Sequence, residues 1–489
     1  MAKKLAPSQN RNVRLCFYPM LAVTFTLVGC MLSPGIMPNL EPKLTDLATA
    51  GSALLPSNSQ PDSQEVGLEP ASDEATPLAV RTTATTGIAL YVSTTGNDSN
   101  SGSSSSSPLR NINTAAKRAK PNTTIYIKGG TYYEQLVTKV GGLAGQEIIF
   151  TSYEGTAVID GSKLNWSIGL APNYGLVELR HPYVRLTGLK IANSKNSGII
   201  LVSDHLTIKN CEIAGTQTHG ISNHLSRHPA AGYPLIRDIT VSNNLVHDTC
   251  LYTGSQAISM AADGFLVSGN KVYNNKNIGI DVWMEAKHGE VVDNIVYSHR
   301  SIGIYVDGAT YVRIHRNRAY ANSTGITVSS ETGYNKYGTH HIWVYNNLSY
   351  DNTNGAGISI WDIDTGATDV LITNNTLINN KFSIYLGASG NSAEIMNNLG
   401  YATGSSVYNI SKNSTYKIHD NIWMSGPTGF VSAANKDFRL VSSSPAINKG
   451  RAIPSFSDDL GNVFKILTDF AKLGRVVNGY PDAGAYEYQ

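Results

Sequence analysis

Three acidic residues, Asp281, Asp307 and Glu331, stand 26 and 24 residues apart, each in or just beyond a short apolar run that opens Gly-Ile. The runs read "IGIDVW", "IGIYVD" and "TGITVS", the last followed by Ser330 and Glu331. Successive side chains of a strand alternate between its two faces. If the Ile after each Gly points inward, then Asp281, Trp283 and Glu285 point outward, as do Tyr305 and Asp307, and Thr327 and Ser329. Neighbouring runs add Ser222 and His224, Ser259, and Ser359 and Trp361 to the same face. Acids among exposed rings suit a sugar polymer, because rings cover the apolar faces of pyranoses while carboxyls handle hydroxyls, protons or a metal. Asp281, Asp307 and Glu331 are therefore the candidate catalytic residues, and Trp283, Tyr305, Trp361, His224, Arg300 and Lys287 the candidate substrate contacts. For each acid the structural alternative is a carboxylate that merely bonds backbone amides in a turn.

These residues need a scaffold that brings sites about 25 residues apart into register, and the chain repeats on that scale. The Ile of the Gly-Ile runs and their close variants, "QAISMA" and "FSIYLG", falls at 199, 221, 258, 280, 304, 326, 358 and 384, most intervals being 22 to 26 residues. Alternating with them are apolar strands that end in Asn, at 210, 244, 270, 294, 317, 347, 375 and 398. Asn tolerates left-handed backbone and its amide can bond the coils above and below, so a stacked Asn ladder is expected. The apolar runs are too short for a helical solenoid and alternate with period two, so strands are predicted. Near the start, Ile112, Ala115, Ala116 and Ala119 keep helical spacing within Leu109 to Ala119, where a helix would cover the open end of the first coil. With 38 basic and 36 acidic residues the chain implies no general attraction to nucleic acid or to an acidic membrane.

The Gly-Ile and Asn pattern, with "YVSTTGNDSNSG" and "IYIKGGTYYE" before it and "FRLVSSSPAINKG" and "GYPDAGAYEY" after it, resembles the pectin-lyase-like superfamily of right-handed parallel β-helix proteins. That resemblance implies an all-β right-handed solenoid with an N-terminal capping helix over residues 89–425 and a C-terminal cap closing the last coil over 426–489, with Asp482 and Glu487 in structural contacts. It does not fix the reaction, since one superfold hosts lyases, hydrolases, epimerases and adhesins. Likeness to the pectate lyases implies a lyase acting on a uronic-acid glycan, with Asp281 and Asp307 holding Ca²⁺ and a Lys or Arg as base, the candidates being Lys287, His288, Arg300 and Arg318. Paired carboxyls also suit a glycoside hydrolase, and a glycan-binding or scaffold protein is the rival from another class. The paired-Asp and Gly-His-Gly pattern of polygalacturonases and the Asp-Pro-His pattern of mannuronan epimerases are absent. His219 reads as structural, His224 and His228 are too few for zinc, and "GNDSNSG" reads as an Asx-rich turn rather than a calcium loop.

Residues 1–29 carry Lys3, Lys4, Arg11 and Arg14 ahead of an apolar run ending in Leu27, Val28, Gly29 and Cys30. The ending resembles a bacterial lipobox, which implies an exported chain acylated at Cys30 and anchored at the cell surface or outer membrane. Residues 30–88 have the Pro, Ser, Thr and Ala content of a flexible tether, spanning roughly 40 Å as a coil. Cys211 and Cys250 lie in neighbouring repeats, where a disulfide or two buried thiols are both open. The expected partner is a polysaccharide, and the protein is expected to be a monomer.

Overall fold

The computed structural model describes residues 87–167, 174–223, 232–252, 254–331, 337–361, 366–387, 389–476 and 479–489. The signal segment, Cys30, almost all of the tether, His224 and His228 lie outside the described residues.

The central coils each carry three short parallel strands, while Ile148–Asp160, Thr376–Leu386 and Leu399–Asn409 run on around a corner as single longer strands. One coil runs through Ile278–Trp283, Lys287–Val292 and Ile295–Tyr297 before Ile302–Asp307 begins the next. Each strand pairs with its counterpart one coil on, Ile280 with Ile304, Val291 with Ile314 and Val296 with Ala319, so the solenoid has three faces. The face bearing Ile280 is the groove face; the other two are the middle and back faces. The Gly-Ile register holds along it: Ile199, Ile221, Ile258, Ile280, Ile304, Ile326, Ile358 and Ile384 are all fully buried and stack in the core. Helix Ile112–Arg118 covers the N-terminal end with Ile112, Ala115 and Ala116. Asp98 of the preceding loop accepts the N–H groups of Arg110 at 2.9 Å and Asn111 at 3.0 Å, so this acid is spent on a turn.

The Asn ladder lies at the corner between the middle and back faces. Each Oδ1 accepts both the backbone N–H and the side-chain Nδ2 of the Asn one coil earlier, as Asn317 does from Asn294 at 3.0 Å each. The ladder runs through Asn244, Asn270, Asn294, Asn317, Asn347, Asn375, Asn398 and Asn421. Asn210 is not a rung. It takes the left-handed position just before the rung, equivalent to Asn243 and Gly269, and Cys211 fills the rung, giving its N–H to Asn244 Oδ1 at 2.9 Å. Cys211 and Cys250 are both free and buried, at different corners, and burial pushes each thiol up to about 12.

A second ladder, Asn322, Asn352 and Asn380, stands at the corner leading into the groove face. It explains the glycine of the Gly-Ile runs. A Cβ on Gly303 would meet Asn322 Nδ2 at 2.7 Å and the Gly325 carbonyl at 2.7 Å. Gly303→Ala is expected to cost about 1–3 kcal/mol, read as a lower denaturant midpoint, since neither the ladder nor the next coil can move aside.

The C-terminal segment runs back along the side of the solenoid rather than ending over its last coil. Phe438 packs with Tyr350, Ile378 and Leu399, and Phe456 stacks on Trp343 at 4.6 Å. His288 bridges Asp263 and Asp459 at 2.6 Å each, tying the segment to a central coil. Asp482 accepts the N–H groups of Asn448 at 2.6 Å and Tyr488 at 2.7 Å, and Glu487 faces buried Arg475 at 3.5 Å.

Candidate functional site

Two rows of outward side chains run along the groove face. In the first, Ser259, Asp281, Tyr305, Thr327 and Ser359 are register partners on five successive coils. In the second, two residues further along each strand, Trp283, Asp307 and Ser329 are partners, and Trp361 follows on the next coil. Coils rise about 4.8 Å, so the two Trp residues bracket Asp307 and Ser329 over roughly 14 Å. Asp281 and Asp307 are diagonal neighbours, one coil and two residues apart.

Glu331 joins them from the turn after its strand. Its N–H donates to Asp307 Oδ1 at 2.8 Å, and its Oε1 accepts the Tyr305 hydroxyl at 2.5 Å. The three acids therefore form one cluster. Asp281 and Asp307 are only 2% and 5% exposed, which sets the electrostatics. Burial first, then the negative charges of Asp307 and Glu331, raise the Asp281 carboxyl well above the usual carboxylate range. Asp281 Oδ1 is buried without a hydrogen-bond partner among the described residues, as is the hydroxyl of Ser259 beside it. Buried polar atoms are rarely left unpaired, so these make the groove face the candidate site.

The other expected contacts distribute differently. Tyr305 is itself buried and uses its hydroxyl on Glu331, so it supports an acid instead of offering a ring to a sugar; burial and the two acids push it far above the usual phenol range. Trp283 and Trp361 are half-buried and line the groove, Trp361 lying 5.8 Å from Tyr385. Lys287 starts the middle face and points to Asp263 at 3.6 Å, while His288 is held between two carboxylates. Arg300 is exposed at the opposite end of the strand from Asp307, about 20 Å away along the chain. Arg318 opens the back face against Phe470. None of these four bases enters the acid cluster. His219 is buried, bonded to Gln256 at 2.9 Å and lowered to about 4 by burial, as a structural histidine would be.

No group of three or more His, Cys, Asp or Glu among the described residues converges as metal ligands. Glu331 Oε1 holds the Tyr305 hydroxyl and Asp307 Oδ1 the Glu331 amide, so each of these two acids has one oxygen in a hydrogen bond within the cluster.

Strand alternation already places Tyr305, Ser259 and Ser329 on this face; what single runs do not show is the bond from the Tyr305 hydroxyl to Glu331, because it depends on which residue lies one coil away.

Comparison with known proteins is consistent across sequence and fold. The profile for Pel9A-like right-handed β-helix regions matches residues 90–398. The uncharacterized protein YwoF of Bacillus subtilis (strain 168) is 31% identical over 328 residues, which is 60% of this chain and 68% of that protein. Among solved structures, pectate lyase Pel9A superposes with a TM-score of 0.52 at 18% identity, covering 82% of this chain and 96% of that one. XylC in complex with xylose gives 0.53 at 12% identity over 82% of this chain and 99% of that one. The GH136 lacto-N-biosidase from Eubacterium ramulus gives 0.50 at 14% identity over 68% of this chain and 67% of that one. At these identities the structural likeness is one of fold.

Proposed function

Because the chain belongs to the Pel9A-like right-handed β-helix family, we propose that it is a carbohydrate-active enzyme cleaving a polysaccharide in the groove around Asp281, Asp307 and Glu331. The observation that carries this reading is the shared environment of the acids. Asp281 is driven to keep its proton by burial and by two neighbouring carboxylates, while Asp307 accepts the Glu331 amide N–H on its Oδ1. Two carboxyls whose environments differ in this way support acid–base cleavage of a glycosidic bond. Asp281 gives its proton to the leaving oxygen as the carbon–oxygen bond breaks; Asp307 takes a proton from the water that attacks, and Glu331, steadied by Tyr305, keeps the cluster negative beneath the developing oxocarbenium charge. Trp283 and Trp361 hold the chain on either side.

A second reading is β-elimination on a uronic-acid glycan, favoured by the family and by the extent of the match to pectate lyase Pel9A. It requires a base from outside the acid cluster as described. Incubating the protein with neutral and uronic-acid polysaccharides, with and without Ca²⁺, separates the two. Reducing ends without ultraviolet absorbance are expected; absorbance rising with them marks elimination, because it reports a new conjugated double bond. Neither signal from any polymer would reduce the protein to a binding module or scaffold.

We also propose that the enzyme is exported and held at the cell surface through Cys30. The lipobox-like ending of the apolar run supports this. Among the described residues no helix is long and apolar enough to cross a membrane. Cys30→Ser is expected to abolish incorporation of radiolabelled palmitate and to move the protein from the membrane to the soluble fraction.

A further inference from the structure

A cavity of about 240 Å³ opens where the middle face turns into the back face, beneath the returning C-terminal segment. Its walls are Asp293, Asn294, Ile295, Arg316 and Arg318 from two successive coils, and Phe470 from the C-terminal segment. It is separate from the groove: the whole middle-face strand Lys287–Val292, about 20 Å of chain, lies between Asp281's turn and Asp293.

Its charge is unbalanced. Asp293 alone faces two cations, Lys472 Nζ at 3.3 Å and Arg316, which clamps it through Nε at 2.8 Å and Nη2 at 3.2 Å while its Nη1 meets His315 Nδ1 at 3.0 Å. Burial would raise the Asp293 carboxyl, but the bonds from Arg316 and Lys472 hold it below its usual range. Arg318 makes no ion pair among the described residues; its guanidinium lies 5.4 Å from the centre of the Phe470 ring. Three positive groups therefore face one negative group, on a chain whose formal net charge is only +2 over 489 residues. Guanidinium groups bind oxyanions through paired N–H donors, and the flat ring beside them offers an apolar wall. Asp293 can accept from hydroxyls.

We infer that this cavity is a second, non-catalytic glycan site, taking a sugar that bears an oxyanion: Arg318 holds a uronate carboxylate or sulfate ester, Arg316 adds positive charge and keeps Asp293 in place to accept a sugar hydroxyl, and Phe470 covers the ring. Such a site would keep an acidic polymer attached to the side of the solenoid while a segment of glycan occupies the groove.

The test is calorimetric titration of the full chain carrying Asp281→Asn with trigalacturonate, so that binding is read without cleavage. Saturable binding is expected, weakening as salt rises, lost by about tenfold or more in Arg318→Ala and Arg316→Gln, and displaced by a sulfated monosaccharide. Circular dichroism of both variants shows whether the fold is kept, and Phe470→Leu, which preserves the apolar wall, should weaken the sugar more than inorganic sulfate. No binding, affinity unchanged by both arginine variants, or equal binding of neutral xylotriose would each overturn the inference. Inorganic sulfate binding as tightly as the sugar would overturn the assignment to a glycan. Because none of these readouts is turnover, failure of the groove as an active site leaves the outcome unaffected.

Discussion

Asp281→Asn should lower turnover of the polysaccharide substrate by a factor on the order of 10²–10⁴, the range expected when a positioned general acid is removed. The variant should nevertheless fold at least as well as the parent. Asp281 is raised in the folded protein, so its contribution to stability is fully present below its unfolded pKa and is lost as pH rises through the folded value. At neutral pH and above, the parent bears the cost of a buried carboxyl beside Asp307 and Glu331, and the amide does not. Thermal melts should therefore show the gap between variant and parent widening in favour of Asp281→Asn towards alkaline pH. The activity profile carries the same signature: the parent loses activity as pH rises and Asp281 gives up its proton. Asp307→Ala, by removing one of the two charges that raise Asp281, should draw that limb to lower pH in whatever activity survives. A variant that kept full turnover would remove Asp281 from the mechanism.

Asn317→Ala should be among the most destabilising single substitutions in the chain, costing about 3–5 kcal/mol. The side chain accepts from the backbone and side chain of Asn294, and donates to the Val291 carbonyl at 2.8 Å and to Asn347 Oδ1 at 3.0 Å, all buried. Alanine leaves the Asn294 amide without its acceptor and no water to replace it. Asn317→Asp should be at least as damaging, because a carboxylate cannot donate to Val291 and would be charged inside the core. Denaturant unfolding followed by circular dichroism reads both. An effect below about 1 kcal/mol would mean that the ladder is decoration on a solenoid held by its apolar core.

The sequence disclosed the coil because buried Ile recurs at nearly fixed spacing, and the fully buried Ile199 to Ile384 line follows that spacing residue for residue. The Asn ladder was legible for the same reason, but Asn210 shows how a corner misleads. Two consecutive corner positions both favour Asn, one for its left-handed backbone and one for its amide, so a lone Asn beside Cys211 gives no sign of which it fills. The second ladder escaped because Thr249 and His299 take the equivalent position in earlier coils. In the site, strand alternation placed Asp281, Trp283, Tyr305 and Asp307 on one face. It could not show that Tyr305 is bound to Glu331, since a contact across coils depends on the turn after Ser330. Lys287 and Arg300 were close to the acids along the chain yet belong to other corners, and chain proximity is a poor guide where each coil bends three times.

The diagonal placement of Asp281 and Asp307 fixes a limit on how this groove can change. Along the solenoid, side chains sit only at whole multiples of the coil rise, and across it only at every second residue, so the face is a lattice and not a continuum. The separation of two acids cannot drift by fractions of an ångström through ordinary substitution in the strands; it moves by a full step or not at all. Finer adjustment is left to side chains on turns, as with Glu331, which reaches the cluster from beyond its strand end. Retargeting such a protein is thus a matter of choosing lattice points for the reactive groups and leaving tolerance to the corners, where length is free to vary.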